Sequence, residues 1–221
     1  MKPFFVHIPK NMGNFIYQKY FDIGHDFQTR YYGFVDSIDD YYRKYDIIAP
    51  PNIPENYRTT SSISIDHLTP LELLQLGIMN AEESKEYVFF AIVREPMERF
   101  ISLCNYWDVP PVQLIYNISK IDSLKKTRYN LFQHLRPQSD YIADMKCVSL
   151  DSRVFSMGRK DDIRDFLSEY FSEKNVDFGE KIHSSREKYD ISMLTSENIQ
   201  FLRKYYRNDF ALFISSDIKL F

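Results

Sequence analysis

The chain has 221 residues, 44% hydrophobic and 27% charged, which is enough for a single domain (residues 1–221) with a sizeable core. Its formal charge of −3 excludes a globally basic nucleic-acid binder, so any anion site must come from a few convergent groups. Two cysteines, Cys104 and Cys147, are too few for a disulfide framework and fit no zinc spacing. No run approaches the roughly 18 apolar residues of a membrane span, and the apolar run at Phe4 is too short for a signal peptide. The expectation is a chain without leader or membrane segment, in a reduced, cytoplasmic setting.

In chain order, residues 4–8 form a continuous apolar run closed by Pro9, which predicts a short buried strand. A polar turn with one glycine follows, and residues 14–21 have helical spacing. Residues 49–57 are a proline-rich loop. Residues 61–66 alternate like a strand and lead through His67 into a helix whose start is signalled by Thr69, Pro70 and Glu72. Gly77 can close it. Residues 86–93, "EYVFFAIV", are the strongest strand pattern, and "REPMERFISLCNYW" after it has helical spacing at Phe100, Leu103 and Trp107. Another strand is expected within residues 148–157. Residues 159–171 form an amphipathic helix with Ile163, Phe166, Leu167 and Tyr170 on one face. A last amphipathic helix is expected over residues 195–213. Strands alternating with helices indicate an α/β fold on a parallel sheet.

Both strong strands end in a cation: His-Ile-Pro-Lys after the first, Val-Arg-Glu-Pro after the second. In an open parallel sheet, ligands bind beyond the carboxyl ends of the strands, where helix N-termini present unpaired N–H groups. Lys10 and Arg94 therefore predict a cleft for a ligand with two separated anionic groups. The bland alternative is that each is a solvated loop residue, or pairs with Glu95 or Glu98. The Walker pattern of a nucleoside triphosphatase is absent, because no Lys-Ser/Thr follows the glycine.

These two corners resemble the sulfotransferases that use 3′-phosphoadenosine 5′-phosphosulfate (PAPS), in particular their Golgi and bacterial carbohydrate branch. "FFVHIPKNMGN" is similar to that family's 5′-phosphosulfate motif, H-I-P-K-T-G-G-T-S. "FAIVREPMERFISLCNYW" is similar to its 3′-phosphate motif, with Arg94, Arg99 and Ser102 at matching places. "DHLTPLELL", "HLRPQSDYI" and the stretch from "KIHSSREKYD" to "NDFALF" agree in order. The chain departs from the pattern in the first loop, where Met12 stands for a glycine and Phe15 for a hydroxyl residue. The acid of the family's Arg-x-Glu strand end is also not recoverable.

The resemblance implies a three-layer fold, a mostly parallel central sheet flanked by helices, of the P-loop nucleotide-kinase-like sulfotransferase type. It implies a donor site at Lys10, Asn11, Met12, Gly13, Asn14 and Phe15, with Asn11 and Asn14 donating, and at Arg94 and Ser102 for the 3′-phosphate. It also implies PAPS as donor, 3′,5′-ADP as product, a carbohydrate hydroxyl as acceptor, and no metal. Sulfuryl transfer is mainly a matter of positioning and charge stabilisation, which suits Lys10 at the leaving phosphate. The acceptor must lose a proton, a task for a neutral histidine. His67, between the two motifs, stands where the family places its base; the competing reading is a histidine at a helix start, with Asp66 as the capping residue. His7 reads as structural or cleft-wall and His134 as cleft-lining, while His25 and His183 carry no clear signal. Arg99 could serve the cofactor or pair with Glu95 or Glu98 on the helix surface. Two other classes stay open: an ATP-dependent kinase of P-loop type, and a non-catalytic nucleotide-binding domain with the same fold.

Overall fold

The computed structural model describes residues 1–22, 31, 33–60, 62–170 and 188–217, with the side chains of 18–22 and 217 excepted. In chain order the elements are β1 (Lys2–Val6), α1 (Gly13–Asp22), β2 (Phe34–Val35), α2 (Ile38–Tyr45), α3 (Glu55–Thr59) and β3 (Ile63–Ser64). A 3-10 turn, Ile65–His67, leads to α4 (Pro70–Gln75), α5 (Ala81–Ser84), β4 (Tyr87–Val93) and α6 (Pro96–Trp107). Four short helices follow: α7 (Pro111–Ile118), α8 (Ile121–Thr127), α9 (Tyr129–Leu135) and α10 (Gln138–Val148). Then come β5 (Arg153–Ser156), α11 (Lys160–Tyr170), a 3-10 turn at Ile191–Met193, α12 (Ser196–Tyr205) and α13 (Arg207–Asp217).

β4 is the central strand of a three-stranded parallel sheet in the order β1-β4-β5. All seven of its residues are buried. Because successive side chains of a strand point to opposite faces, it feeds two cores. Phe89, Ala91 and Val93 join Phe4 and Val6 in one core with Tyr41, Ile65 and Leu73. Val88, Phe90 and Ile92 join Phe5 in the other, with Phe15, Ile16, Ile163 and Phe166. Burial on both faces explains the unbroken apolar run in the sequence. A third cluster, built on Phe100, Leu103, Leu114, Leu135 and Leu202, joins α6 to the later helices.

The expected α/β fold on a parallel sheet is present, with differences in detail. The piece read as a strand over residues 61–66 yields only a two-residue strand, β3, before the 3-10 turn. The final helix breaks at Tyr206, which closes α12, and α13 restarts at Arg207. The break lets the fully buried Asp209 accept from the backbone N–H groups of Gln138 and Ser139, at 2.8 and 2.9 Å, and so cap α10.

Phe90 sits at the centre of an aromatic group, with Phe5 at 5.2 Å and Phe166 at 5.1 Å between ring centroids. Phe90→Ala should cost about 3–5 kcal/mol, because the cavity would be lined by rigid rings from three elements. Urea unfolding followed by circular dichroism checks this; a loss below about 1 kcal/mol would mean that the core relaxes into the gap.

Candidate functional site

The turn between β1 and α1 is tight. Lys10 and Met12 have φ of 70° and 62°, in the left-handed region. Met12 thus occupies a conformation that glycine adopts at least cost, which accounts for a glycine in the resembled pattern. Gly13 is required for a different reason: a Cβ there would lie 1.6 Å from Nε2 of His7. The His7 ring lies against the start of α1, so the turn follows its surface. The N–H of Ile16 bonds to the Met12 carbonyl, and the N–H groups of residues 13–15 open the helix. They form the anion-attracting end of α1.

Of the residues expected around this turn, Asn14 is exposed and Lys10 is partly exposed. The Asn11 side chain departs from expectation, and the Phe15 ring is buried. Asn11 is fully buried, and its amide donates to the Ile92 carbonyl (2.8 Å) and to Oε1 of Gln138 (2.6 Å), so its side chain braces the turn instead of facing a ligand. Phe15 turns into the core beside Phe5 and Phe90, where a hydroxyl residue would leave a void.

Arg94 follows β4, the parallel neighbour of β1, so the two corners lie side by side. Burial, and then the charge of Arg94, lower the Lys10 ammonium to about 8. The Lys10 Nζ also stands 4.1 Å from the centre of the Tyr106 ring. Arg94 Nε bonds to Glu98 (3.3 Å). Ser102, half-buried, is one turn beyond Glu98 on α6, so Arg94, Glu98 and Ser102 follow one stripe.

Arg99 does neither thing expected of it. It is buried, with 1% exposed, and donates to three carbonyls: Nε to Pro9 (3.1 Å), Nη1 to Arg136 (3.2 Å) and Nη2 to His134 (2.8 Å). It holds the first turn from beneath.

Three histidines converge. His67 ends the 3-10 turn, and its ring centroid lies 4.3 Å from His7 and 4.8 Å from His134. Its Nδ1 donates to the His7 carbonyl (3.1 Å), which fixes the tautomer and leaves Nε2 with the lone pair. His67 is 7% exposed. Burial, only partly offset by the Asp66 carboxylate, holds its pKa well below the ordinary 6.5, so the ring is neutral near pH 7. His134 is lowered to about 4, again mainly by burial. It packs on Trp107 at 4.8 Å, with Tyr106 at 6.1 Å, so an aromatic path joins His67 to Lys10.

Asp66 is not the helix cap. Thr69 takes that role in a complete capping box with Glu72. The Asp66 carboxylate instead meets Nδ1 of His7 (3.0 Å) and accepts from the Ser64 hydroxyl (2.8 Å). Burial would raise its pKa, but the two imidazoles and Ser64 hold it well below the usual carboxylate range. Among the described residues, His7, Asp66 and His67 bring their ligand atoms within 4.8 Å of one another, a set that could hold a cation. Each already has a protein partner. His25 and His183 lie outside the described residues.

Behind His67, Glu72 accepts from the Thr69 N–H (2.8 Å), from Tyr129 (2.5 Å) and from Arg136 (2.8 Å). This buried network fixes the helix that follows the histidine. Gln138, Asp66 and Arg99 are the site residues whose places the sequence did not reveal. The one signal for Gln138 was the Arg-Pro-Gln stretch.

Both corners and His67 fall in one stretch of the chain that carries a family signature. Residues 3–108 match the family model described as the sulfotransferase family. No curated protein and no solved structure matches the chain. The parallel sheet flanked by helices is consistent with the P-loop-like fold of sulfotransferases, and the match supports sulfuryl transfer as the general activity. Among the described residues no helix is long and apolar enough to cross a membrane.

The fit of Gly13 against His7 is directly testable. Gly13→Ala should lose about 1–3 kcal/mol through overpacking. In a His7→Ala background the same change should cost little, giving a coupling of similar size in a double-mutant cycle. Additive losses in thermal unfolding would show that the contact does not shape the turn.

Proposed function

We propose that this protein transfers a sulfonate from PAPS to a hydroxyl, on a carbohydrate acceptor. One observation carries the proposal: Lys10 and Arg94 stand beyond the carboxyl ends of the adjacent parallel strands β1 and β4, where the Arg94 charge adds to burial in lowering the Lys10 pKa. Two cations held together against their repulsion suit a ligand with two anionic groups. The left-handed turn at Lys10 and Met12 and the N-terminus of α1 suit a phosphate cradle.

PAPS supplies the activated sulfonate and leaves as 3′,5′-ADP. On this reading, Lys10 with the N–H groups of Gly13, Asn14 and Phe15 holds the 5′-phosphate end, and Lys10 meets the negative charge that grows there. Asn14 is placed to add a side-chain donor. Arg94 and Ser102 take the 3′-phosphate, with Arg94 exchanging Glu98 for it. His67 accepts the proton of the acceptor hydroxyl at Nε2, and its Nδ1–H stays with the His7 carbonyl. The exposed Tyr106 ring beside Lys10 supports a sugar acceptor, because aromatic faces pack against pyranose rings.

The experiment is transfer of radiolabelled sulfonate from PAPS to an oligosaccharide panel, with labelled ATP in parallel. Label should move from PAPS alone; phosphate transfer from ATP, or no transfer from either donor, would contradict the proposal. His67→Ala should lower kcat by about 10²–10⁴-fold while 3′,5′-ADP still binds. Since the base works in its neutral form and its pKa is depressed, the acid limb of the pH profile should lie well below 6.5. A limb at or above 6.5 would point to a different, more exposed base.

Lys10 offers a second check. Its pKa near 8 should rise when a phosphate replaces the repulsion from Arg94. Calorimetry of 3′,5′-ADP binding at pH 8 in buffers of different ionisation enthalpy should show proton uptake, lost in Lys10→Met. Proton release, or uptake unchanged in the variant, would place the phosphate elsewhere.

A further inference from the structure

We infer that Gln138 is a positioning residue that sets the separation of the two anion corners, and with it the preference for a nucleotide bearing both a 3′- and a 5′-phosphate. The inference rests on the assignment of the corners made above. Gln138 is fully buried, so it touches no ligand itself. Its Oε1 accepts from two donors at once: Nδ2 of Asn11 at 2.6 Å and the backbone N–H of Arg94 at 3.0 Å. Its Nε2 donates to the Arg94 carbonyl at 2.9 Å. One amide thus grips both the N–H and the carbonyl of Arg94 and, through the same oxygen, the turn that carries Lys10.

Strand pairing cannot do this alone. The β1–β4 register ends at Val6 opposite Ala91, before either corner. Beyond it the two chains diverge into separate helices, and Lys10 and Arg94 repel each other. Asn11 continues the tie with a second bond to the Ile92 carbonyl at 2.8 Å. Gln138 is itself immobilised, since Asp209 accepts from its backbone N–H and from that of Ser139. The chain of restraint runs from α13 through α10 to both corners.

A glutamine fits this task and a glutamate does not. Gln138→Glu keeps an oxygen for Asn11 and the Arg94 N–H but sets its second oxygen against the Arg94 carbonyl, driving that corner outward. Gln138→Ala removes all three bonds. The readout is the affinity ratio for 3′,5′-ADP over 5′-AMP, by calorimetry on the full chain, with thermal unfolding alongside. The wild type should prefer the bisphosphate by about tenfold or more. In Gln138→Glu the ratio should fall toward one while 5′-AMP affinity changes by less than about threefold, because the first turn keeps its own N–H groups and Lys10. Gln138→Ala should fall the same way. A residue that only stabilises the fold would lower the unfolding temperature and leave the ratio intact, and a folded Gln138→Glu variant with the wild-type ratio overturns the inference. A wild type without preference would instead overturn the assignment of the Arg94 corner, so the two failures are distinct.

Discussion

Two cations, Lys10 and Arg94, are held near each other at the ends of neighbouring parallel strands, and much of the surrounding structure resists their repulsion. In the folded chain burial, and then that repulsion, bring the Lys10 ammonium down to about 8. Groups without negative charge supply the restraint. Gln138 and Asn11 tie the corners from one side, and Arg99 binds the Pro9 carbonyl from beneath. A carboxylate in their place would cancel the positive field that an anionic ligand needs; amides and carbonyls fix geometry and leave the charge uncompensated. Glu98 is the exception, and it is more than half exposed, where an ion pair is weak and easily exchanged.

The histidine cluster is governed by burial. His67 and His134 lose affinity for protons because the charged ring would be poorly solvated. This keeps His67 in the form a general base needs, and it also weakens the base. Asp66 works against that loss, with its carboxylate 3.6 Å from Nδ1 of His67. His7 joins the two sites: its carbonyl orients His67 and its ring shapes the turn at Gly13. The proposed base and the phosphate turn therefore share one residue, which fixes their spacing.

Local patterns were legible in the sequence. Continuous apolar runs gave β1 and β4, because a strand buried on both faces has no polar alternation to lose. The Thr69-Pro70-Glu72 signal marked α4, because capping is decided within four residues. The corners at Lys10 and Arg94 were visible as cations after strands. What could not be read depends on long-range pairing. Gln138 reaches Asn11 across 127 positions, and nothing local distinguishes a buried glutamine from an exposed one. Arg99 read either as a cofactor residue or as a surface partner of Glu95 or Glu98, yet α6 turns it inward to backbone carbonyls. The inward turn of the Asn11 side chain was not legible, because the turn's φ values are not apparent where Met12 replaces glycine.

The most direct measurement is a crystal structure of the full chain with 3′,5′-ADP. The account places the 5′-phosphate on the N–H groups of Gly13 to Phe15 beside Lys10. The 3′-phosphate should lie against Arg94 and Ser102, with Arg94 released from Glu98 and the Gln138 bonds unchanged. A nucleotide bound elsewhere, or one phosphate bound with Arg94 still paired to Glu98, would contradict it.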